Sequence, residues 1–240
     1  MFLKKIKRLL GLIFDYYKCI RISILPKNKK FSYIYKSKYW QNIEDGSLSG
    51  PGSNKISTSA IKPELEKFMI NNNIKSIIDI PCGDWKWMSE MNLANTNYTG
   101  CDVVDDLINS NNSLYSNDHI KFYTKDLLSD TLPNADFIII RDLLVHLDIS
   151  DIKLCLNNIK NSEYRFIGIT NYPNLSNNEN RIFGDRLRVG DKWRPINLTK
   201  SPYNLPDPEY NLNDNNALTK IDHEKYLSIW SSDSFNPNYT

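Results

Sequence analysis

The sequence predicts an α/β protein built on a mostly parallel sheet. Five short apolar runs recur at regular intervals, at residues 76–80 (SIIDI), 98–104 (YTGCDVV), 119–123 (HIKFY), 135–140 (ADFIII) and 165–170 (RFIGIT). The segments 84–92, 104–114 and 149–161 lie between them and are long enough for helices. Strands alternating with helices at this spacing read as βαβ units. The run at 135–140 is continuously apolar, as expected of a strand covered on both faces.

Composition agrees with a globular chain. Hydrophobic residues make up 40% and charged residues 24% of the 240, which excludes a disordered or collagen-like protein. Nine Gly against 11 Pro leave no glycine-rich array. The length suits one domain with appendages. A net charge of +2 is too weak to argue for nucleic acid. Cys19, Cys82, Cys101 and Cys155 form no CxxC pair and no Cys/His cluster. That argues against a metal site and against a disulfide framework, and for a reducing, cytoplasmic compartment.

In chain order, residues 1–26 come first, with Lys4, Lys5, Lys7 and Arg8 set among apolar positions 2, 3, 6, 9, 10, 13 and 14. This is helical spacing. The apolar run is too short to cross a bilayer and no small-residue cleavage site follows it. A basic amphipathic helix lying on an anionic membrane face is one reading. A helix packed on its own domain or on a partner subunit is the other. Residues 27–62 are polar and turn-rich, with a loop signal at 49–53 (SGPGS) and large aromatics at Tyr39 and Trp40. They read as a linker or as a lid over a ligand. Residues 63–231 are expected to form the main domain. It opens with a helix over 63–71, whose apolar positions are Leu65, Phe68 and Met69. Residues 171–216 are rich in Asn, Pro and Arg and weak in periodicity, which predicts a long functional loop. A late strand follows at 225–231, and 232–240 are expected to be a flexible tail.

Ligands of such sheets bind at the carboxyl ends of the strands. The first strand runs into Asp79-Ile80-Pro81-Cys82-Gly83-Asp84-Trp85, a strand–turn arrangement suited to a nucleotide. A dinucleotide loop needs three glycines. With Gly83 as the second, Pro81 and Lys86 occupy the other two places, a poor cradle for pyrophosphate. S-adenosyl-L-methionine carries no phosphate and needs no such cradle. Asp102 lies 23 residues after Asp79, near the separation expected for an acid on ribose hydroxyls. Asp126-Leu127 follows the third strand, placed to meet an adenine, and Arg141-Asp142 follows the fourth, with His146 soon after.

These segments, DIPCGDWKWM, GCDVV, KDLL and IIIRDLLVHL in that order, resemble class I S-adenosylmethionine-dependent methyltransferases over roughly residues 40–210. Together with RPINL and PYNLPDP downstream, they resemble a bacterial subgroup found in surface-polysaccharide (capsule) gene clusters, including phosphoramidate O-methyltransferases. The family's first loop reads acid-x-Gly-x-Gly-x-Gly; Asp79 and Gly83 match it, while Pro81 and Trp85 depart from it. The resemblance implies a Rossmann-like sheet, mostly parallel with a late antiparallel strand, plus an N-terminal helical extension. It implies a cofactor site made by Trp40, Asp79, Pro81, Cys82, Gly83, Asp84, Asp102, Val103, Asp126, Leu127, Arg141 and Asp142.

Methyl transfer is an in-line displacement, so alignment and charge placement are the main tasks. His146 and Arg141 are the candidate catalytic residues. A neutral hydroxyl acceptor calls for a base, which His146 would supply. An anionic acceptor calls instead for cations, and Arg181, Arg186, Arg188 and Arg194 fit that need. The expected partner is a small-molecule or nucleotide-linked acceptor, with no nucleic acid; on the membrane-surface reading of residues 1–26, and not on the packed-helix reading, peripheral membrane contact is added. A nucleic-acid methyltransferase is the weaker alternative, since no NPPY-type base-flipping tetrapeptide is present.

Overall fold

Seven strands hydrogen-bond into one sheet in the order β3-β2-β1-β4-β5-β7-β6. They are β1 (Ser76–Asp79), β2 (Asn97–Asp102), β3 (Ile120–Thr124), β4 (Ala135–Ile140), β5 (Tyr164–Asn171), β6 (Tyr210–Asn213) and β7 (Tyr226–Ser231). The helices are α1 (Lys27–Lys36), α2 (Ile61–Asn71), α3 (Asp105–Tyr115) and α4 (Ile149–Lys160). This computed structural model describes residues 17–18, 20–22, 24–25, 27–41, 46–178, 193–215 and 224–237. All neighbouring pairs from β3 to β5 are parallel, and β7 runs against both β5 and β6. The direction of strand addition reverses between β1 and β4. Among the described residues, no helix is long and apolar enough to cross a membrane.

The period of two along the central strands builds a core on each face. Ile77 and Ile139 lie in one cluster, Ile78, Ile138 and Ile140 in the other. α2 covers the first face with Ile61, Leu65, Phe68 and Met69, a stripe at helical spacing. Phe68 packs against Phe137, Phe166 and Tyr210 with ring centroids 5.1, 5.4 and 5.2 Å away. Burying a side chain of this kind contributes roughly 1.5–3 kcal/mol. α4 covers the other face with Ile152, Cys155, Leu156 and Ile159.

The structure departs from the sequence expectations in four places. Residues 84–92 form turns and one short 3-10 helix, Met88–Glu90, instead of an α-helix. Trp85 has φ 56 and stacks near Tyr98, Tyr115 and Phe122, at 5.4, 4.9 and 5.3 Å. The left-handed residue breaks helical continuation, and its indole is buried as core. Residues 27–36 are helical although polar, because Phe31, Ile34 and Tyr35 share one face and Ile34 is fully buried. The predicted long loop over 171–216 contains β6, and its single apolar residues Ile196, Leu198, Tyr203 and Leu205 are buried. Phe235, in the stretch expected to fray, packs against Trp230 and Tyr164 at 6.2 and 6.3 Å. Residues 1–16, Arg181, Arg186 and Arg188 lie outside the described residues.

Candidate active site

The carboxyl ends of β1 to β4 open into one cavity of about 280 Å³. Ile80 and Pro81 line it after β1, Asp102 and Val103 at β2, Asp126 and Leu127 after β3, and Asp142 and His146 after β4. Phe31, Tyr35 and Trp40 reach over it from α1 and the turn that follows. It therefore sits where the strand order reverses, as the sheet geometry requires.

Asp102 ends β2 with its carboxylate on the cavity wall. It accepts the Val104 N–H at 3.1 Å and the Gly83 N–H at 3.2 Å. Burial pushes its carboxyl up to about 6, against those backbone donors. A carboxylate has about four lone-pair positions, so acceptor capacity remains. Asp126 accepts the Leu128 N–H at 2.9 Å, and Leu127 is buried beside it.

Asp79, at the end of β1, is not on the cavity wall. It is buried and accepts the Tyr98 hydroxyl at 2.6 Å. Burial raises its carboxyl to about 7, despite the Tyr98 bond and the charge of Arg141. Cys82 and Gly83 also lie behind the wall. Burial pushes the Cys82 thiol up, so it packs as a small residue and is no nucleophile. Gly83 has φ +58, and a Cβ there would collide with Ser49 Oγ. Its glycine thus serves the approach of segment 46–53 rather than a phosphate.

Asp84 faces that same segment. Its carboxylate accepts the Leu48 N–H at 2.6 Å, the Ser49 hydroxyl at 3.0 Å and the Ser47 hydroxyl at 3.2 Å. Ser49 Oγ in return accepts the Asp84 N–H at 2.8 Å and lies 3.1 Å from the Tyr35 hydroxyl. A residue expected to touch cofactor is instead the anchor of the strap that carries the cavity roof.

Arg141 and Asp142 follow β4 and have different fates. Arg141 is buried away from the wall, and its guanidinium grips Asp214 with two bonds of 2.9 and 2.8 Å. It also donates to the Gly52 carbonyl at 2.9 Å and lies over the Trp87 ring at 5.2 Å. With its donors committed so, Arg141 is a framework group rather than one that meets a reacting atom. Asp142 has φ 57, reaches the wall, and receives Lys225 Nζ at 2.7 Å. Burial pushes its carboxyl up, but Lys225 and Arg141 together hold it well below the usual carboxylate range.

His146 sits in the short 3-10 helix Leu144–His146, with its ring 5.1 Å from that of Trp40. Arg194 donates its N–H to the Val145 carbonyl at 2.9 Å and its guanidinium to the Leu147 carbonyl at 2.6 Å. It tethers segment 193–198 to the turn that carries His146. The sequence reading missed Tyr35, Ser49, Tyr98, Asp214 and Lys225. Their signals were Ser49, inside the SGPGS loop, and Lys225, a charge at the head of an apolar strand.

No protein-family model and no curated protein matches the chain. Solved structures do. N-methyltransferase NodS from Bradyrhizobium japonicum WM9 aligns with a TM-score of 0.53 at 13% identity, over 75% of this chain and 98% of its own. Human N-acetylserotonin methyltransferase, solved with S-adenosylmethionine, aligns with a TM-score of 0.50 at 16% identity, over 73% and 51%. PigF, solved with S-adenosylhomocysteine, gives 0.51 at 12%, over 72% and 55%. The chain thus spans about half the length of the latter two and nearly all of NodS. Its fold is the Rossmann-like fold of these methyltransferases.

Proposed function

We propose that this chain is an enzyme that transfers a methyl group from S-adenosyl-L-methionine to an oxygen of a small acceptor. The carrying observation is the charge of the cavity, whose wall brings six carboxylates together against Lys30 and Lys125. S-adenosylmethionine bears a sulfonium and a zwitterion and is a net cation, which such a wall favours. A pyrophosphate-bearing dinucleotide would meet like charge there. Asp102 keeps acceptor capacity for a ribose diol, and Val103, Asp126 and Leu127 stand beside it for an adenine. The volume is near the lower end of the roughly 300–1,000 Å³ usual for such sites. Solved neighbours of the same fold that hold S-adenosylmethionine or S-adenosylhomocysteine support the reading.

The bound cofactor would supply a methyl group on a cationic sulfur. The protein's part is to align the acceptor with it and exclude water. Phe31, Tyr35 and Trp40 do the excluding, as the roof over the cavity.

For the acceptor we propose an anionic oxygen, phosphoryl or phosphoramidate, on a glycan precursor of a surface polysaccharide. The motif resemblance and the arginine-rich sequence stretch support this, although Arg194 is held on the Leu147 carbonyl; Lys30 and Lys125 are the cations that the wall itself offers such an anion against its six carboxylates. An anionic oxygen needs cations and no base. The second reading is a sugar hydroxyl, favoured by His146 on the wall near Asp142, whose negative charge would steady an imidazolium after proton transfer. Incubation with S-adenosylmethionine and a panel of acceptors should add one methylene mass to the substrate. With an anionic acceptor His146→Ala keeps substantial turnover; with a hydroxyl acceptor it loses about 10²–10⁴-fold. Binding of a nicotinamide dinucleotide as tight as that of S-adenosylmethionine would overturn the cofactor assignment.

A further inference from the structure

Four charged side chains, Asp142 on the cavity wall and three behind it, meet as a closed square. Asp142 accepts Lys225 Nζ at 2.7 Å and lies 3.5 Å from Arg141. Asp214 accepts Arg141 through two bonds and lies 3.0 Å from Lys225. Signs alternate around the square and sum to zero. The Asp214 side chain is fully buried, and those of Arg141 and Lys225 are 4% and 11% exposed.

The square ties the end of β4 to the β6–β7 pair, two strands away across the sheet, and to the 50–53 turn. Arg141 and Asp142 follow β4, Asp214 follows β6, and Lys225 precedes β7. Arg141 also holds the Gly52 carbonyl, in the short 3-10 helix Pro51–Ser53. A Cβ on Gly52 would come within 2.6 Å of an Asp142 oxygen, so that turn is pressed directly on the square. Asp142 alone of the four reaches the cavity, where it holds a left-handed backbone with its N–H on Thr170 Oγ1 at 2.9 Å. Strain of this kind persists only where surroundings over-determine it. Buried ion pairs contribute little net stability compared with apolar packing. Three buried charges joined to a partly exposed Asp142 at a ligand cavity are better explained by the geometry they impose.

We infer that Asp214 and Lys225 are positioning residues of the site: they fix the Asp142 carboxylate on the cavity wall and, through Arg141, lock the 50–53 turn that backs Trp40. Neither touches the cavity itself. Lys225 holds Asp142 directly, and Asp214 holds Lys225 and Arg141 in place. The ligand arm of the test rests on the methyltransferase reading; the backbone arm does not.

Lys225→Met retains the buried stem and removes the charge. The folded variant should bind S-adenosylhomocysteine about tenfold more weakly by calorimetry. The amides of 50–53 should exchange hydrogen faster than in the wild type, while those of β1 and β4 stay protected. Lys225→Arg should restore both. Asp214→Asn, which keeps the side-chain shape, should act like Lys225→Met. A folded Lys225→Met variant with affinity within twofold of wild type and unchanged exchange at 50–53 would overturn the inference. So would unfolding of both variants, since the square would then serve folding alone. If the wild type binds no S-adenosylhomocysteine, the cofactor reading fails, and the exchange comparison alone decides on the square.

Discussion

Asp79→Asn is expected to stabilise the unliganded protein at neutral pH. Asp79 is 2% exposed, and its carboxyl is raised from 3.8 to about 7, chiefly by burial. At 1.36 kcal/mol per pH unit, holding it ionised costs about 4 kcal/mol above pH 7. Both states are ionised there, so the full penalty applies. Between pH 7 and 3.8 the folded carboxyl takes a proton that the unfolded one lacks, and the penalty shrinks. Below 3.8 both are neutral and the difference is gone. Wild-type stability should therefore rise as pH falls from 8 to 5. Asp102, raised to about 6 by burial, acts in the same sense. Asp142, held low by Lys225 and Arg141, acts in the opposite sense once pH falls below about 4, which is below this window. In the Asn variant the amide oxygen can still accept the Tyr98 hydroxyl, but the new N–H₂ needs a partner and costs roughly 1–3 kcal/mol without one. The net gain at pH 8 is thus on the order of 1–3 kcal/mol. Urea unfolding at pH 5, 6, 7 and 8 would measure both effects. A flat wild-type profile over that range, or an Asn variant less stable than wild type at pH 8, would refute the reasoning.

Three further outcomes are expected. Asp102→Ala should weaken S-adenosylhomocysteine binding by about ten- to a hundredfold, since the wall loses its ribose acceptor; unchanged affinity in calorimetry would remove Asp102 from the site. Gly83→Ala should cost about 1–3 kcal/mol in unfolding experiments, because a side chain at φ +58 is strained and displaces Ser49. Asp84→Ala should leave β-sheet circular dichroism intact but expose segment 46–53, so limited proteolysis near Gly50 should accelerate; cutting at the wild-type rate would show that the Asp84 bonds to Ser47, Leu48 and Ser49 do not hold the strap.

The strands were legible because their burial is written in period and length. The run over 135–140 coincides with β4, and the acids at the ends of β1 and β2 mark the side of the sheet on which the cavity lies. What escaped was set by partners distant in the chain. β6 buries only Leu212, so it shows no alternation. Trp85 and Trp87 sit in a segment whose apolar content suits a helix, yet a left-handed Trp85 turns them into the core instead. Asp84 lies in the turn after β1, so its sequence place suggested a ligand; its bonds go to residues some 35 positions earlier. Arg141 is likewise consumed by Asp214, 73 residues away, a pairing that no local pattern announces.

The reversed strand β7 bears on the order in which the molecule can be assembled during synthesis. β6 is made before β7, yet β7 takes the slot between β5 and β6. Until residues 226–231 emerge from the ribosome, Ile167 and Ile169 of β5 have no neighbour on that side, and β6 has none to pair with at all. A nascent chain stalled before that point would present an apolar open edge, the kind that recruits foreign strands. Lys225 arrives with the same segment. Closure of the sheet and arrival of the fourth charge of the square are thus a single late event, and chaperone capture of partly made chains should fall sharply once it has passed.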